Sequence, residues 1–353
     1  MTMSSLFTSL GIQHPIVQAP MAGTATPALA AAVSEAGGLG SISIAAADLT
    51  TARAMIRDLQ ARTTKAFNVN VFCHGPSVAD AEVERNWLAH LAPFFAEFGA
   101  PVPAGLHDIY TSFSAGDAQL QVLLEARPAV VSFHLGLPPQ DHIDALKAAG
   151  IVLFASATDV TEALAIQAAG IDVIVAQGIE AGGHRGVFDP LAADEQHSTL
   201  ALLETLKQQL SLPIIAAGGL MDGADIRDVL DRGALAAQLG TAFVLCPESS
   251  ANAAYRQMLA SERASTTALT RVISGRPARG MVNRFMREAG ASGHPPVPGF
   301  GIAYNGGKLL SEAASKAGSH EFSPFWAGTQ AARAVALPAA QLMARLIEQS
   351  ARP

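Results

Sequence analysis

QDHIDALKAAGIVLFASATDVTEALAIQAAGIDVIVAQ, from Gln140 to Gln177, is the stretch that decides the fold. It contains one unit twice. Gln140 to Ala149 and Val160 to Ala169 carry apolar residues at helical spacing, while Val152 to Ser156 and Val173 to Gln177 are short β-branched runs. Each helical segment stops at Ala-Ala-Gly, at Ala148 to Gly150 and at Ala168 to Gly170. Glycine takes the left-handed conformation that ends a helix and returns the chain to the next strand. Strands that are apolar without alternation, and separated by helices, belong to a parallel sheet covered on its faces.

Upstream, the rhythm gives strands at His14 to Gln18, Leu39 to Ile44, Phe67 to Phe72 and Val130 to Leu135. Pro27 to Ala36 forms a further helix ended by Gly37 and Gly38. Downstream it gives Pro213 to Ala217 and Ala236 to Leu239. Eight strands favour closure into a (β/α)8 TIM barrel over an open sheet. Two regions break the pattern. His74 to Arg127 is too long for one crossover and predicts extra helices and a loop over the barrel mouth. Beyond Leu245 come helical pieces and a Gly/Pro-rich run from Gly290 to Gly307, then a closing helix from about Thr329 to Glu348. The predicted division is a barrel at 1–245 joined by a C-terminal helix at 318–353, with a smaller helical substrate-side lid domain at 246–317.

Composition bounds the function. Half of the 353 residues are hydrophobic and 15% are charged, enough apolar material for a large core. The net charge is −7 with no basic cluster, which argues against nucleic acid or an anionic membrane as partner. Cys73 and Cys246 are far apart and lack metal-ligand spacing, so they are read as small buried hydrophobes and no metal is expected. No Lys or Arg precedes Arg53 and no apolar run is long enough for a span, so the expectation is a cytoplasmic protein, monomer or homodimer.

In a closed parallel barrel, functional groups gather at the C-terminal strand ends. The first strand ends in Gln18-Ala19-Pro20-Met21-Ala22-Gly23, a turn whose backbone can face a ligand or simply be structural. Asn70 ends the third strand, where an amide serves either a heterocycle or local backbone. After Gln177 comes Gly178-Ile179-Glu180-Ala181-Gly182-Gly183-His184-Arg185-Gly186, a glycine-rich strand-end loop with a histidine in its midst. Gly218-Gly219 and Gly240-Thr241 follow the seventh and eighth strands, where barrels commonly bind phosphate through backbone N–H groups. The chain has three tyrosines, Tyr110, Tyr255 and Tyr304, all in the two irregular regions, and Lys308 follows the last of them. A cation beside phenols suits a carboxylate or nitro group.

Over essentially its whole length the chain resembles the class I nitronate monooxygenases, formerly 2-nitropropane dioxygenases. The likeness rests on Gln18 to Gly23, Gly178 to Gly186, Ala217 to Gly219, Gln238 to Thr241 and Ser274 to Gly280, with Asn283 to Phe285 and Trp326 to Gly328 extending it. The first two stretches are shared with flavin-type enoyl reductases; Ser274 to Gly280 and Tyr304 to Lys308 point to the monooxygenases. The resemblance implies FMN bound by Met21, Ala22, Gly23, Asn70, Gln177, Gly182, Gly219, Gln238, Gly240, Thr241 and Gln330. It implies an active-site His184 and substrate contacts from His134, Tyr110, Tyr255, Tyr304 and Lys308. The implied reaction is oxidation of alkyl nitronates by O2 to a carbonyl product and nitrite, with propionate 3-nitronate preferred. Should neutral nitroalkanes also be used, His184 would be the base, its ordinary near-neutral pKa suiting that role. Phe300 departs from the pattern where a further tyrosine is expected. The alternatives are an NAD(P)H-dependent FMN reductase of quinones or enoyl thioesters, a flavin-free sugar-phosphate barrel and a non-catalytic FMN carrier.

Overall fold

The computed structural model describes residues 5–351. Eight strands form one all-parallel sheet: β1 (Ile16–Gln18), β2 (Gly40–Ser43), β3 (Phe67–Phe72), β4 (Val130–His134), β5 (Val152–Ala157), β6 (Val173–Gln177), β8 (Ile214–Ala217) and β9 (Ala236–Leu239). β1 pairs with β9 at one end of the strand order, and a parallel bridge from Val17 to Leu39 joins it to the chain entering β2. The sheet is therefore a closed (β/α)8 barrel, with all eight expected strands in place. The strands are buried nearly throughout, which is why they read as continuous apolar runs. The Ala-Ala-Gly signals end their helices as expected, with Gly150 at φ +79° and Gly170 at φ +77°.

The remaining three strands were not foreseen. β7 (Gly183–His184) lies in the glycine-rich loop after β6 and pairs antiparallel with β11 (Ala278–Met281), which pairs in turn with β10 (Thr267–Thr270). The region after Leu245, expected to be helical, thus contains a hairpin whose second strand reaches back and pairs with the barrel loop. Its helical pieces are Ala253–Leu259 and Ile302–Lys316, with short turns at Glu262–Ser265 and Phe285–Ala289.

Gly306 and Gly307 are a second correction. They close the Gly/Pro-rich run of the sequence but lie inside the Ile302–Lys316 helix. A Cβ on Gly307 would stand 2.5 Å from the Ile273 carbonyl oxygen, so glycine here lets helix and hairpin approach closely. The closing helix also begins later than expected, at Ala339, after a short turn at Ala331–Arg333. The Glu248 carboxylate accepts from the Ala339 N–H at 3.0 and 3.1 Å and caps that helix from a distant part of the chain.

The insertion after β3 contains helix Ala81–Glu97, which packs on Ile302–Lys316. Trp87, Leu91 and Phe95 join Phe285, Phe300, Leu310 and Phe322 in a second hydrophobic core beside the barrel mouth. The site lies between this core and the strand ends. Among the described residues, no helix is long and apolar enough to cross a membrane.

Candidate active site

A cleft of about 490 Å³ opens at the C-terminal ends of the strands, and every site residue expected from the sequence lines it. Its polar floor begins at the glycine turns. Gly218 and Gly219 have φ of +126° and +71°, and a Cβ on Gly218 would fall 2.7 Å from the Thr199 hydroxyl. A Cβ on Gly182 would meet Ala327 and Gly328 at 2.6 Å, so the loop carrying His184 and the strap from Phe322 to Gly328 touch backbone to backbone. The Gly328 N–H donates to the Thr241 hydroxyl at 3.0 Å. Next to it the Thr329 hydroxyl is buried without any partner, and it lies 3.7 Å from where a Gly219 Cβ would be. Bare glycine backbone beside an orphaned donor is a cradle for an anionic oxygen group such as a phosphate.

The amides in the floor are held firmly. Asn70 donates to the Ser132 carbonyl and hydroxyl at 3.1 and 3.0 Å and accepts from Ser43. Gln177 donates to the His184 carbonyl at 3.0 Å and accepts from the Gly186 N–H at 2.7 Å and from Arg185 at 3.2 Å. Gln177 therefore ties the glycine-rich loop to the end of β6. Arg185 is completely buried and does the same with its donors to the Gln177 and Gly178 carbonyls, its charge matched by a bidentate pair with Asp194 at 2.8 and 3.0 Å.

His184 lines the cleft on one side and is otherwise enclosed by protein. Its Nε2 lies 2.9 Å from the Ser274 hydroxyl, which reaches the Arg276 carbonyl at 3.3 Å. If the serine proton goes to that carbonyl, His184 donates through Nε2 and keeps Nδ1 as acceptor. His134 faces the opposite way in chemical terms. Its Nε2 meets the His184 carbonyl at 3.2 Å and must donate, while Nδ1 meets the Ser156 hydroxyl at 2.9 Å and accepts. Both ring nitrogens are therefore engaged by protein. Burial, helped by the neighbouring histidine and Arg276, drops His184 to about 3; burial drops His134 to about 4. Both rings are neutral at pH 7, and the near-neutral base anticipated for His184 is a much weaker one.

The opposite wall is aromatic. Tyr304, Trp326 and Phe300 approach the His184 ring at centroid distances of 5.9, 5.4 and 5.2 Å. Tyr110 stacks on Phe300 at 5.2 Å, so the phenylalanine noted as a departure supports a tyrosine rather than reaching the cleft with a hydroxyl. The Lys308 ammonium sits 5.1 and 5.0 Å from the ring centres of Tyr110 and Tyr304. It makes no ion pair among the described residues, and it counts as exposed because the cleft beside it is open. Burial holds the phenols above their usual range, Tyr304 at about 12, so they are neutral donors. The Tyr304 oxygen accepts from Trp326 Nε1 at 3.2 Å, leaving its own proton available. The Tyr255 hydroxyl is spent on the Trp326 carbonyl. Ser274, Ser156 and Trp326 had no role assigned from the sequence; the signal for Ser274 was its place in Ser274 to Gly280.

Fold and site together define a barrel enzyme that works on a small molecule at the C-terminal mouth of its strands. A family model described as nitronate monooxygenase matches residues 3–349. The chain is 55% identical over 348 residues to the nitronate monooxygenase of Pseudomonas aeruginosa, covering 98% of this chain and 99% of that one. It superposes with a TM-score of 0.90 on nitroalkane oxidase from Streptomyces ansochromogenes, at 38% identity over 98% of each chain. FabK from Thermotoga maritima is also similar, at a TM-score of 0.74 and 26% identity over 99% of this chain and 96% of that one. The chain belongs to the nitronate monooxygenase family, a group of oxidoreductases.

Proposed function

We propose that the chain holds FMN in this cleft and uses O2 to convert alkyl nitronates to a carbonyl product and nitrite, with propionate 3-nitronate as a preferred substrate. The observation that carries the reading is the pairing, in one cleft, of a neutral enclosed imidazole with a lysine that has no carboxylate partner among the described residues. A nitronate has already lost its proton and needs no strong base. His184, far below the usual imidazole range, is a poor one. Its role is to hydrogen-bond and orient the nitro group, and His134 positions it by holding its main-chain carbonyl. Lys308 and the free phenol protons of Tyr110 and Tyr304 hold the substrate carboxylate. Tyr255, with its hydroxyl taken, backs the wall with its ring.

FMN, when bound, would supply the redox chemistry between substrate and O2. Gly182, Gly219, Gly240 and Thr241, with the Thr329 hydroxyl, would take its phosphate end. Met21, Ala22, Gly23, Asn70, Gln177, Gln238 and Gln330 would line its remainder. In this division residues 1–245 and the C-terminal 318–353 would hold the cofactor and also supply His134, His184 and Tyr110 to the substrate. Residues 246–317 form the substrate side, braced by helix Ala81–Glu97.

The test is O2 uptake and nitrite release by the flavin-loaded protein with propionate 3-nitronate, beside anaerobic mixing with NADH. Rapid uptake with nitrite and no bleaching of the flavin by NADH is the expected result. Bleaching by NADH without nitronate turnover would move the chain to the NAD(P)H-dependent flavin reductases.

A further inference from the structure

Arg276 sits at the loop of the β10–β11 hairpin and is 2% exposed. Its Nη2 donates to the Val187 carbonyl, and its Nε has no partner. Among the described residues no carboxylate lies within ion-pair distance of it. Buried charges are normally paired, because desolvation of a lone guanidinium costs several kcal/mol. The other fully buried arginine in this region, Arg185, follows that rule through Asp194. Arg276 breaks it.

The surroundings of Arg276 lead to the reacting pocket. Its guanidinium lies 5.9 Å from the centre of the Phe300 ring, whose other contacts include the His184 ring at 5.2 Å and the Tyr110 ring at 5.2 Å. Its main-chain carbonyl is joined to His184 through the Ser274 hydroxyl. Two acids, Glu162 and Asp189, act on it only through space, and the Glu162 oxygens are already occupied by Thr158 and by the Phe188 N–H. Arg279 is partly buried and donates to the Ile179 carbonyl.

We propose that Arg276 is an electrostatic positioning residue, a fixed positive charge whose counterion is the anionic head of the substrate itself. This rests on the nitronate reading for the identity of the anion but not for the existence of the charge. The guanidinium remains cationic at pH 7, with its pKa at about 10, and the same charge helps keep His134 and His184 neutral. An anion in the pocket is thereby favoured over a neutral molecule of the same shape. Acting through a ring rather than by contact, the charge discriminates without blocking access to the reacting atoms.

The test uses the flavin-loaded protein and nitrate, a planar anion shaped like a nitronate head, with binding read by calorimetry. Arg276→Gln keeps a donor for Val187 without the charge, Arg276→Met removes both, and Arg276→Lys keeps the charge. The neutral variants should bind nitrate about tenfold more weakly, as expected for one charge acting across a partly screened distance, while Arg276→Lys recovers most of the loss. The KM for ethyl nitronate should rise in the neutral variants while binding of neutral nitroethane does not change. Equal weakening toward the neutral ligand, unchanged nitrate binding, or a lysine variant as weak as glutamine would overturn the proposal. If the Met variant does not fold, the Gln and Lys pair decides alone. A wild-type protein that binds nitrate but fails to turn over nitronates would refute the functional reading and leave the assignment to Arg276 standing.

Discussion

Replacing Lys308 with methionine separates recognition of the substrate's tail from chemistry at its head. Methionine keeps most of the stem, so packing against Tyr110 and Tyr304 survives while the ammonium is lost. An ammonium–carboxylate contact near 4 Å is worth about 4 kcal/mol at an effective dielectric of 20. Lys308 faces an open cleft and loses hydration on binding, which brings the net value toward that of a charge-assisted hydrogen bond, about 2 kcal/mol. Its two tyrosine neighbours remain and can still donate. We therefore expect kcat/KM for propionate 3-nitronate to fall about thirtyfold. Ethyl nitronate, which has no carboxylate, should be turned over nearly as before, and Lys308→Arg should recover a large part of the loss. The assay is initial-rate O2 consumption with both substrates at one pH. Equal losses on the two substrates would show that Lys308 serves the reacting centre or the fold, and no loss on either would remove it from the site.

Three further outcomes are expected. His74 is buried and its Nδ1 lacks a partner; desolvation holds it at about 4, so the unfolded chain binds a proton that the folded one rejects as pH falls from 6.5 toward that value. Urea midpoints should show about 2–3 kcal/mol less stability from this residue at pH 4.5 than at pH 7, and His74→Phe should remove about that share of a dependence to which His134 and His184 also contribute. Thr329→Val should weaken FMN retention about tenfold, measured by recovery of flavin fluorescence on dilution, with little change in Tm of the flavin-free protein. Gly307→Ala forces a methyl group against the Ile273 carbonyl, and should cost about 2 kcal/mol and several degrees in Tm; an unchanged melting curve would mean that helix and hairpin separate at no cost.

The barrel was legible because each of its strands is buried on both faces, so burial left an unbroken apolar run in the sequence. The glycine turns at the strand ends were legible for a similar local reason. Gly218-Gly219 and Gly240-Thr241 follow strands directly, and adjacency along the chain is all that reading needs. The small sheet was not legible. β7 has only two residues, Gly183 and His184, and becomes a strand through pairing with Ala278 and Arg279 far along the chain. Nothing in a two-residue segment carries a period. Gly306-Gly307 misled because glycine marks loops on average, whereas here it marks a close approach inside a helix. The weak basicity of His184 was equally hidden. It arises from enclosure, with help from His134 and Arg276, and none of these is written near position 184.

The pairing of β7 with β11 makes heredity in this fold divisible. The glycine turns at Gly218-Gly219 and Gly240-Thr241 follow barrel strands directly, whereas the histidine takes its backbone alignment from a strand of the appended segment and its side-chain partner from the adjoining hairpin loop. Exchanging the 246–317 segment between relatives would leave those turns and the Gly328 to Thr241 contact unchanged, and reset the orientation of the histidine above them. What shapes the glycine turns and what aims the histidine are therefore encoded in separate parts of the chain.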